Sequence, residues 1–358
     1  MKIKVTRAPN EQLRPKPNDM KRVGFGTIFT DHMLIMRYRN GAWETPEIVP
    51  YGPLPLDPAT SVLHYGQGIF EGMKAYRRGR RIFLFRPRDN FERLNRSAER
   101  MVMPTIDVDL LLDSLKELLL LERDWIPQDR GTSLYIRPTM IATDARLGVH
   151  PSKEYLYFVI LSPVGPYFDE GFNPIRVIVS DKYVRSAPGG VGHAKTIGNY
   201  AAGLKALKEA IATGHSQVLW LDAVERRYVE EVATMNFFAV FGQELVTPPL
   251  SDTILPGVTR ASVIELARSL GTKVSERPIA IDELIAGIRS GTVTELFGTG
   301  TAAIVAPIGQ LTYKGNTYTV RNGEAGEMSR RLFDLLTDLQ VGLLEDKWGW
   351  VESIECPE

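Results

Sequence analysis

The chain has 358 residues, with 43 Lys+Arg balanced by 43 Asp+Glu, 44% apolar residues and a single cysteine. At roughly 150 residues per domain this length points to two domains. Zero net charge and ordinary apolar content exclude a strongly basic nucleic-acid binder and a disordered chain. Cys356 alone makes neither an internal disulfide nor a multi-cysteine zinc site. The five histidines show no His-x3-His pair, so no metal site is expected. The first twenty residues are charged and contain proline, and no apolar run approaches the ~20 residues of a membrane span. A cytoplasmic protein with no membrane or nucleic-acid partner is expected.

In chain order, Arg88 to Met101 carries Phe91, Leu94, Ala98 and Met101 at helical spacing. The same spacing predicts a helix over Asp107 to Arg123, with Val108, Leu111, Leu112, Leu115, Leu118 and Leu119 on one side. Tyr155 to Leu161 (YLYFVIL) reads as a buried strand. The turn-rich passage from Ser162 to Pro174 is the expected linker. Beyond it, Ile175 to Ser180 predicts a strand, and Tyr200, Leu204, Leu207 and Ile211 predict the buried stripe of a helix. Strands are expected at Gln217 to Asp222 and Phe237 to Phe241. One helix is expected after Pro256-Gly257, with Val263, Leu266, Ala267 and Leu270 buried, and another around Met328, Leu332, Leu335, Leu336 and Leu339. The pattern is two α+β domains: a small one over 1–165, a linker over 166–176 and a larger one over 177–358.

Several segments bear chemistry. Gly189 to Thr196 nearly spells a phosphate-binding P-loop, but Ala194 stands at the second required glycine and weakens that reading. It leaves Lys195 on a loop before a helix, where an amine serves as a nucleophile toward carbonyls if neighbours keep it uncharged; the plain alternative is a solvated lysine. A pyridoxal-phosphate site would also need an anion site and a carboxylate at the ring nitrogen. Gly257-Val258-Thr259-Arg260 opens a helix, where free N–H groups favour a phosphate. If YVEEVATMNFF is extended, one of Glu230 and Glu231 points inward and needs a cationic partner. Phe297 to Ala302 offers closely spaced backbone donors. The arginines at 86, 88, 93, 96 and 100 read by default as a solvated face.

Eight segments occur in an order that resembles one family: HYGQGIFEG, FERL, LYIRP, LGVHPSKEYL, AKTIGNYAA, EEVATMNFF, LPGVTR and FGTGTAA. Together they are similar to branched-chain-amino-acid aminotransferases of the fold-type IV class. The resemblance implies an α+β two-domain fold with pyridoxal 5′-phosphate between a small N-terminal and a larger C-terminal domain. It implies transamination from L-leucine, L-isoleucine or L-valine to 2-oxoglutarate, giving L-glutamate, in a homodimer. By motif, Lys195 corresponds to the imine-forming lysine, Tyr200 to the partner of the cofactor's phenolic oxygen and Glu231 to the carboxylate at the ring nitrogen. Arg93, Val258, Thr259 and Thr301 correspond to phosphate ligands, and Thr234 and Asn236 fall in the cofactor wall. Thr301 and Ala302 resemble the pair that holds the substrate α-carboxylate. Tyr65, Tyr135, Arg137 and Tyr167 resemble a polar rim, and Phe70 an apolar wall.

There are two departures. Ile197 replaces the first glycine of the usual Lys-x-Gly-Gly-Asn-Tyr, and Ala303 and Ala306 stand where animal members carry a redox Cys-x-x-Cys. The alternatives on the same fold are a D-amino-acid aminotransferase and an aminodeoxychorismate lyase; outside that chemistry stand a non-catalytic scaffold and a P-loop NTPase.

Overall fold

The computed structural model describes residues 3–165 and 172–357. These form two compact units: one takes the described residues up to 165 together with 194–197 and 338–357, the other takes 172–193 and 198–337.

The first unit is built on β1 (Lys4–Val5), β2 (His32–Arg39), β3 (Ala42–Trp43), β4 (Glu47–Pro50), β5 (Gly68–Phe70), β6 (Met73–Arg78), β7 (Arg81–Phe85), β8 (Ser133–Ala142) and β9 (Tyr155–Val164). The main path runs β1-β4-β2-β9-β8-β6-β7, antiparallel except for β1 against β4, with β3 on β2 and β5 on β8. Its helices are α1 (Ser61–Tyr65), α2 (Pro87–Arg100) and α3 (Val108–Leu121). Strand alternation sends Leu134, Ile136 and Met140 of β8, with Tyr155, Tyr157, Val159 and Leu161 of β9, into one core. That core also receives Phe91, Leu94 and Ala98 of α2, and Leu111, Leu112, Leu115, Leu118 and Leu119 of α3. Each fully buried leucine contributes about 1.5–3 kcal/mol relative to exposure, which is why α3 holds a leucine-rich face. Asp107 caps α3 by accepting the Leu110 N–H at 2.8 Å. The opposite face of β8 carries Tyr135 and Arg137.

The second unit contains β10 (Ile175–Val179), β11 (Gln217–Leu221), β12 (Val229–Val232), β13 (Met235–Phe241), β14 (Glu244–Thr247), β15 (Lys273–Glu276), β16 (Val293–Gly300), β17 (Ile304–Tyr313) and β18 (Asn316–Thr319). The order is β12-β11-β10-β17-β16-β13-β14-β15, and a further β12–β13 pairing closes six of these strands into a circuit. The helices are α4 (Ile197–Ala202), α5 (Leu204–Ala212), α6 (Val258–Ser269), α7 (Ile281–Ser290) and α8 (Glu327–Gln340), with divisions between units falling after Ile197 of α4 and after Thr337 of α8. Glu295 of β16 accepts the N–H groups of Met328 and Ser329, each at 2.9 Å, and so anchors the start of α8.

A last strand, β19 (Val351–Glu355), returns to the first unit and pairs antiparallel with β7. With it and residues 194–197, the first unit holds the larger share of the chain. The α+β expectation holds. Of the expected linker, 166–171 lie outside the described residues, while Ile175 and Arg176 already belong to β10.

The helix stripe predicted over 200–211 is corrected. Leu204 and Ile211 are 62% and 60% exposed, and Ala206 and Ala210 are buried in their place. Those two alanines pack with Val218 and Trp220 of β11. Small side chains one helical turn apart let α5 lie close to that strand, so the leucine side turns outward. The default reading of the arginine helix also fails at one position, since Arg93 is only 3% exposed.

Candidate active site

In the first unit the site grows around β5 and the residue that follows it. Lys195 and Thr196 run beside this strand: Phe70 donates its N–H to the Lys195 carbonyl at 3.1 Å, and Thr196 bridges Ile69. The Lys195 N–H in turn donates to Ser97 Oγ at 2.9 Å. The Lys195 amine stands 5.0 Å from the centre of the Phe70 ring. On the same ring lies the Arg137 guanidinium, 4.7 Å from its centre, with Arg137 Nη2 donating to the Tyr135 hydroxyl at 2.9 Å. Arg137 Nε is buried with no hydrogen-bond partner among the described residues. A half-buried guanidinium whose enclosed Nε lacks a partner is poised for an anion, because leaving that donor unpaired costs free energy.

Arg93 grips Glu71 through Nε at 2.7 Å and Nη2 at 2.8 Å, and both side chains are almost fully enclosed. Glu71 thereby fixes the plane of the guanidinium. Tyr135 packs its hydroxyl against Gly72, where a Cβ would come within 2.2 Å of it, so only glycine fits there. Opposite Tyr135 in the β6–β8 ladder stands Lys74, whose amine is lowered by burial to about 8. Tyr65 is 42% exposed, and its hydroxyl accepts the Gly148 N–H at 2.7 Å. Tyr167 lies outside the described residues.

In the second unit β12, β13 and β16 set Glu231, Asn236 and Thr299 side by side in register. Both glutamates of β12 are buried, which corrects the expectation that only one turns inward. Glu230 accepts from the Thr253 hydroxyl at 2.5 Å, and burial pushes its carboxyl above the usual range. Glu231 is 2% exposed and lies between two donors. Arg185 Nε approaches Oε2 at 2.6 Å, and Asn236 Nδ2 donates to Oε1 at 3.0 Å. The cationic partner that the sequence demanded of a buried carboxylate is thus present as Arg185.

Asn236 also donates to the Leu255 carbonyl at 2.8 Å, and a Cβ on Gly257 would meet its Oδ1 at 2.0 Å. Gly257 is the N-cap of α6, no side chain caps that helix, and Val258 and Thr259 are buried. A buried, uncapped helix start is a ready anion site. Thr299 Oγ1 is buried without a hydrogen-bond partner among the described residues. Thr301 and Ala302 lie half-buried in the turn between β16 and β17. Tyr200 and the exposed Thr234 line a mainly apolar cavity of about 180 Å3 together with Arg185, Asn199 and Trp220.

The first unit therefore brings together Phe70, Tyr135, Arg137 and Lys195, with Arg93 beside them through Glu71. The second brings together Glu231, Asn236 and the start of α6. Sequence reasoning passed over Ser97, Glu71, Lys74, Arg185 and Thr299. Glu71 lies inside a quoted motif, HYGQGIFEG, where a buried acid signals a cationic partner, and Thr299 lies inside FGTGTAA; Ser97, Lys74 and Arg185 carry no local signal. In the second unit the orphaned Thr299 hydroxyl, the buried Glu231 carboxylate and the uncapped start of α6 fit a phosphorylated, cationic-ring cofactor, and in the first unit the orphaned Arg137 donor fits an acidic group. Among the described residues no helix is long and apolar enough to cross a membrane, and no group of three potential metal ligands occurs.

Comparison with known proteins gives the same direction. Residues 68–311 match the family of class IV amino-transferases. Branched-chain-amino-acid transaminase 1 of Bacillus subtilis (strain 168) is 52% identical over 344 residues, covering 95% of this chain and 96% of that protein. Among solved structures, the branched-chain amino acid aminotransferase of Escherichia coli aligns with a TM-score of 0.73 at 29% identity, covering 90% of this chain and 98% of that one. The T.th. branched-chain amino acid aminotransferase complexed with N-(5′-phosphopyridoxyl)-L-glutamate aligns with a TM-score of 0.72 at 28% identity, covering 88% of this chain and 97% of that one. On the strength of the match over residues 68–311 and the near full-length identity, the chain belongs to the class IV aminotransferases.

Proposed function

We propose that the protein is a branched-chain-amino-acid transaminase, moving the amino group of L-leucine, L-isoleucine or L-valine to 2-oxoglutarate with pyridoxal 5′-phosphate as cofactor. The relatives' names support this over the D-amino-acid and aminodeoxychorismate alternatives. The observation that carries it is the setting of Lys195, whose main chain is tied to Phe70 and Ser97 and whose amine stands over the Phe70 ring.

When bound, the cofactor supplies an aldehyde for imine chemistry and a ring that accepts the electron pair left by Cα–H cleavage. Lys195 would hold it covalently, and Tyr200 would hydrogen-bond its phenolic oxygen. Val258, Thr259 and Thr301 would bind its phosphate together with Arg93, whose guanidinium is held in place by Glu71. Glu231 would keep the ring nitrogen protonated, oriented for that task by Asn236 and Arg185. Thr234 would complete the cofactor wall.

Once the substrate amine has taken its place on the cofactor's carbonyl carbon, the released Lys195 Nζ would act as the base that takes the proton from the substrate Cα. Backbone amides at Thr301 and Ala302 would receive the α-carboxylate. Arg137 and Tyr135 would take the distal carboxylate of 2-oxoglutarate or glutamate, while Phe70 presents an apolar surface to branched side chains. Tyr65 and Tyr167 would stand on the polar rim. Borohydride reduction of the loaded protein followed by peptide mapping tests the assignment. Label on Lys195 is expected, and label elsewhere, or none, overturns it.

The assembly proposed is a homodimer and the location the cytoplasm, both resting on family likeness. Light scattering at a single chain's 40.1 kDa would refute the first, and recovery from a membrane or secreted fraction would refute the second.

A further inference from the structure

Residues 194–197 cluster with the first unit although the chain on either side of them belongs to the second. Two of the contacts that hold this short insertion are made by backbone alone: the Phe70 N–H to the Lys195 carbonyl, and the bridge between Thr196 and Ile69. Another is the Lys195 N–H donated to the side chain of Ser97, to Oγ at 2.9 Å. Ser97 is 1% exposed and lies one turn beyond Arg93 on α2, so both project from the same side of that helix. A helical serine commonly returns its hydroxyl to its own preceding turn; here the oxygen receives a donor 98 residues distant in sequence.

We propose that Ser97 is a positioning residue for Lys195: its hydroxyl oxygen fixes the peptide from which the reactive amine projects. The hydroxyl itself touches no reacting atom. Its effect is geometric, because the amine works at hydrogen-bond range from the proton it moves and loses efficiency steeply when displaced. α2 thus serves the site twice, through the guanidinium of Arg93 and through the acceptor of Ser97.

This inference rests on Lys195 being the imine-forming residue, which reductive trapping in the unaltered protein tests on its own. The test uses the cofactor-loaded protein and the variants Ser97→Ala, Ser97→Cys and Ser97→Thr. Two quantities are read: the leucine half-reaction as a function of leucine concentration, and the rate at which borohydride bleaches the visible absorbance of the resting protein. For Ser97→Ala a fall of about tenfold in the maximal half-reaction rate is expected, with the half-saturating leucine concentration within about twofold and borohydride bleaching altered by threefold or more.

Ser97→Cys, a poorer acceptor, should fall between alanine and serine, and Ser97→Thr should restore both rates to within about twofold. If Ser97→Ala does not fold, the cysteine variant carries the comparison. Unchanged rates in the alanine or cysteine variant overturn the proposal, as does equal damage in the threonine and alanine variants. If trapping labels Lys195 while Ser97→Ala behaves as the unaltered protein, only this inference falls. Label on another residue removes the functional reading along with it.

Discussion

Asn236 donates its side-chain amide to Glu231 at 3.0 Å while the same nitrogen reaches the Leu255 carbonyl at 2.8 Å. One short side chain therefore joins a buried carboxylate to the segment entering α6. Replacing Asn236 by Asp should set two carboxylates against each other, which disfavours ionisation of both. Weakening of pyridoxal-phosphate binding by about tenfold or more is expected, read by fluorescence titration of the apoprotein. Binding equal to that of the unaltered protein would show that Asn236 plays no part in setting Glu231.

Glu231→Gln keeps the shape and removes the charge. Cofactor binding should survive, and kcat for leucine should fall by about a hundredfold with KM little changed, as expected for a group used mainly in the transition state. An unaltered kcat would assign the tuning of the ring nitrogen to another group.

Lys195→Ala should abolish both turnover and the visible absorbance of the loaded protein, since it removes the amine that would form the imine. Normal transamination of leucine by this variant would defeat the mechanism.

Arg137 has an unsatisfied buried Nε and a guanidinium lying on Phe70. For Arg137→Met the prediction is split by substrate. kcat/KM for 2-oxoglutarate should drop by about a hundredfold or more, while the leucine half-reaction stays within a few-fold, because a polar site loses far more than an apolar one when a charged partner goes. Parallel losses for both substrates would place Arg137 outside the distal-carboxylate site.

Lys74 gives a pH prediction. Burial lowers its amine from 10.5 to about 8. Below pH 8 both folded and unfolded chains hold the proton, and the folded one bears the cost of enclosing the charge. Between about 8 and 10.5 the unfolded chain binds more protons, so stability from this group rises with pH. Lys74→Met should therefore stabilise by on the order of 1–3 kcal/mol at pH 7, and the advantage should shrink toward pH 10.5. Thermal melts at pH 7 and 9.5 check this; a difference that is the same at both, or that favours lysine at pH 7, contradicts it.

The helices of the first unit are legible because leucine spacing in 108–121 leaves one buried face, and strand β9 is legible because seven apolar residues run unbroken through it. On α5 the same rule misleads: Ala206 and Ala210 allow a closer approach to β11 than Leu204 and Ile211 do, and proximity decides the buried side. The ordered motifs locate Lys195, Glu231 and Arg93. They do not pair these three with the residues that hold them, because Ser97, Arg185 and Glu71 meet them only through the fold, 98, 46 and 22 positions away in the chain. Ile197 illustrates a departure that only packing explains. Its Cδ1 stands 3.0 Å from where a Cβ on Gly68 would lie, so the bulk added at one position is accommodated by the hydrogen at the other.

The pairing of β19 with β7 spans about 270 intervening residues. During synthesis the N-terminal sheet stays without its outermost member until residues 351–355 have cleared the ribosome. The exposed rim of β7 is meanwhile a template for pairing with nascent neighbours. The order of translation thus leaves completion of this sheet dependent on a strand made about 270 residues after its neighbour.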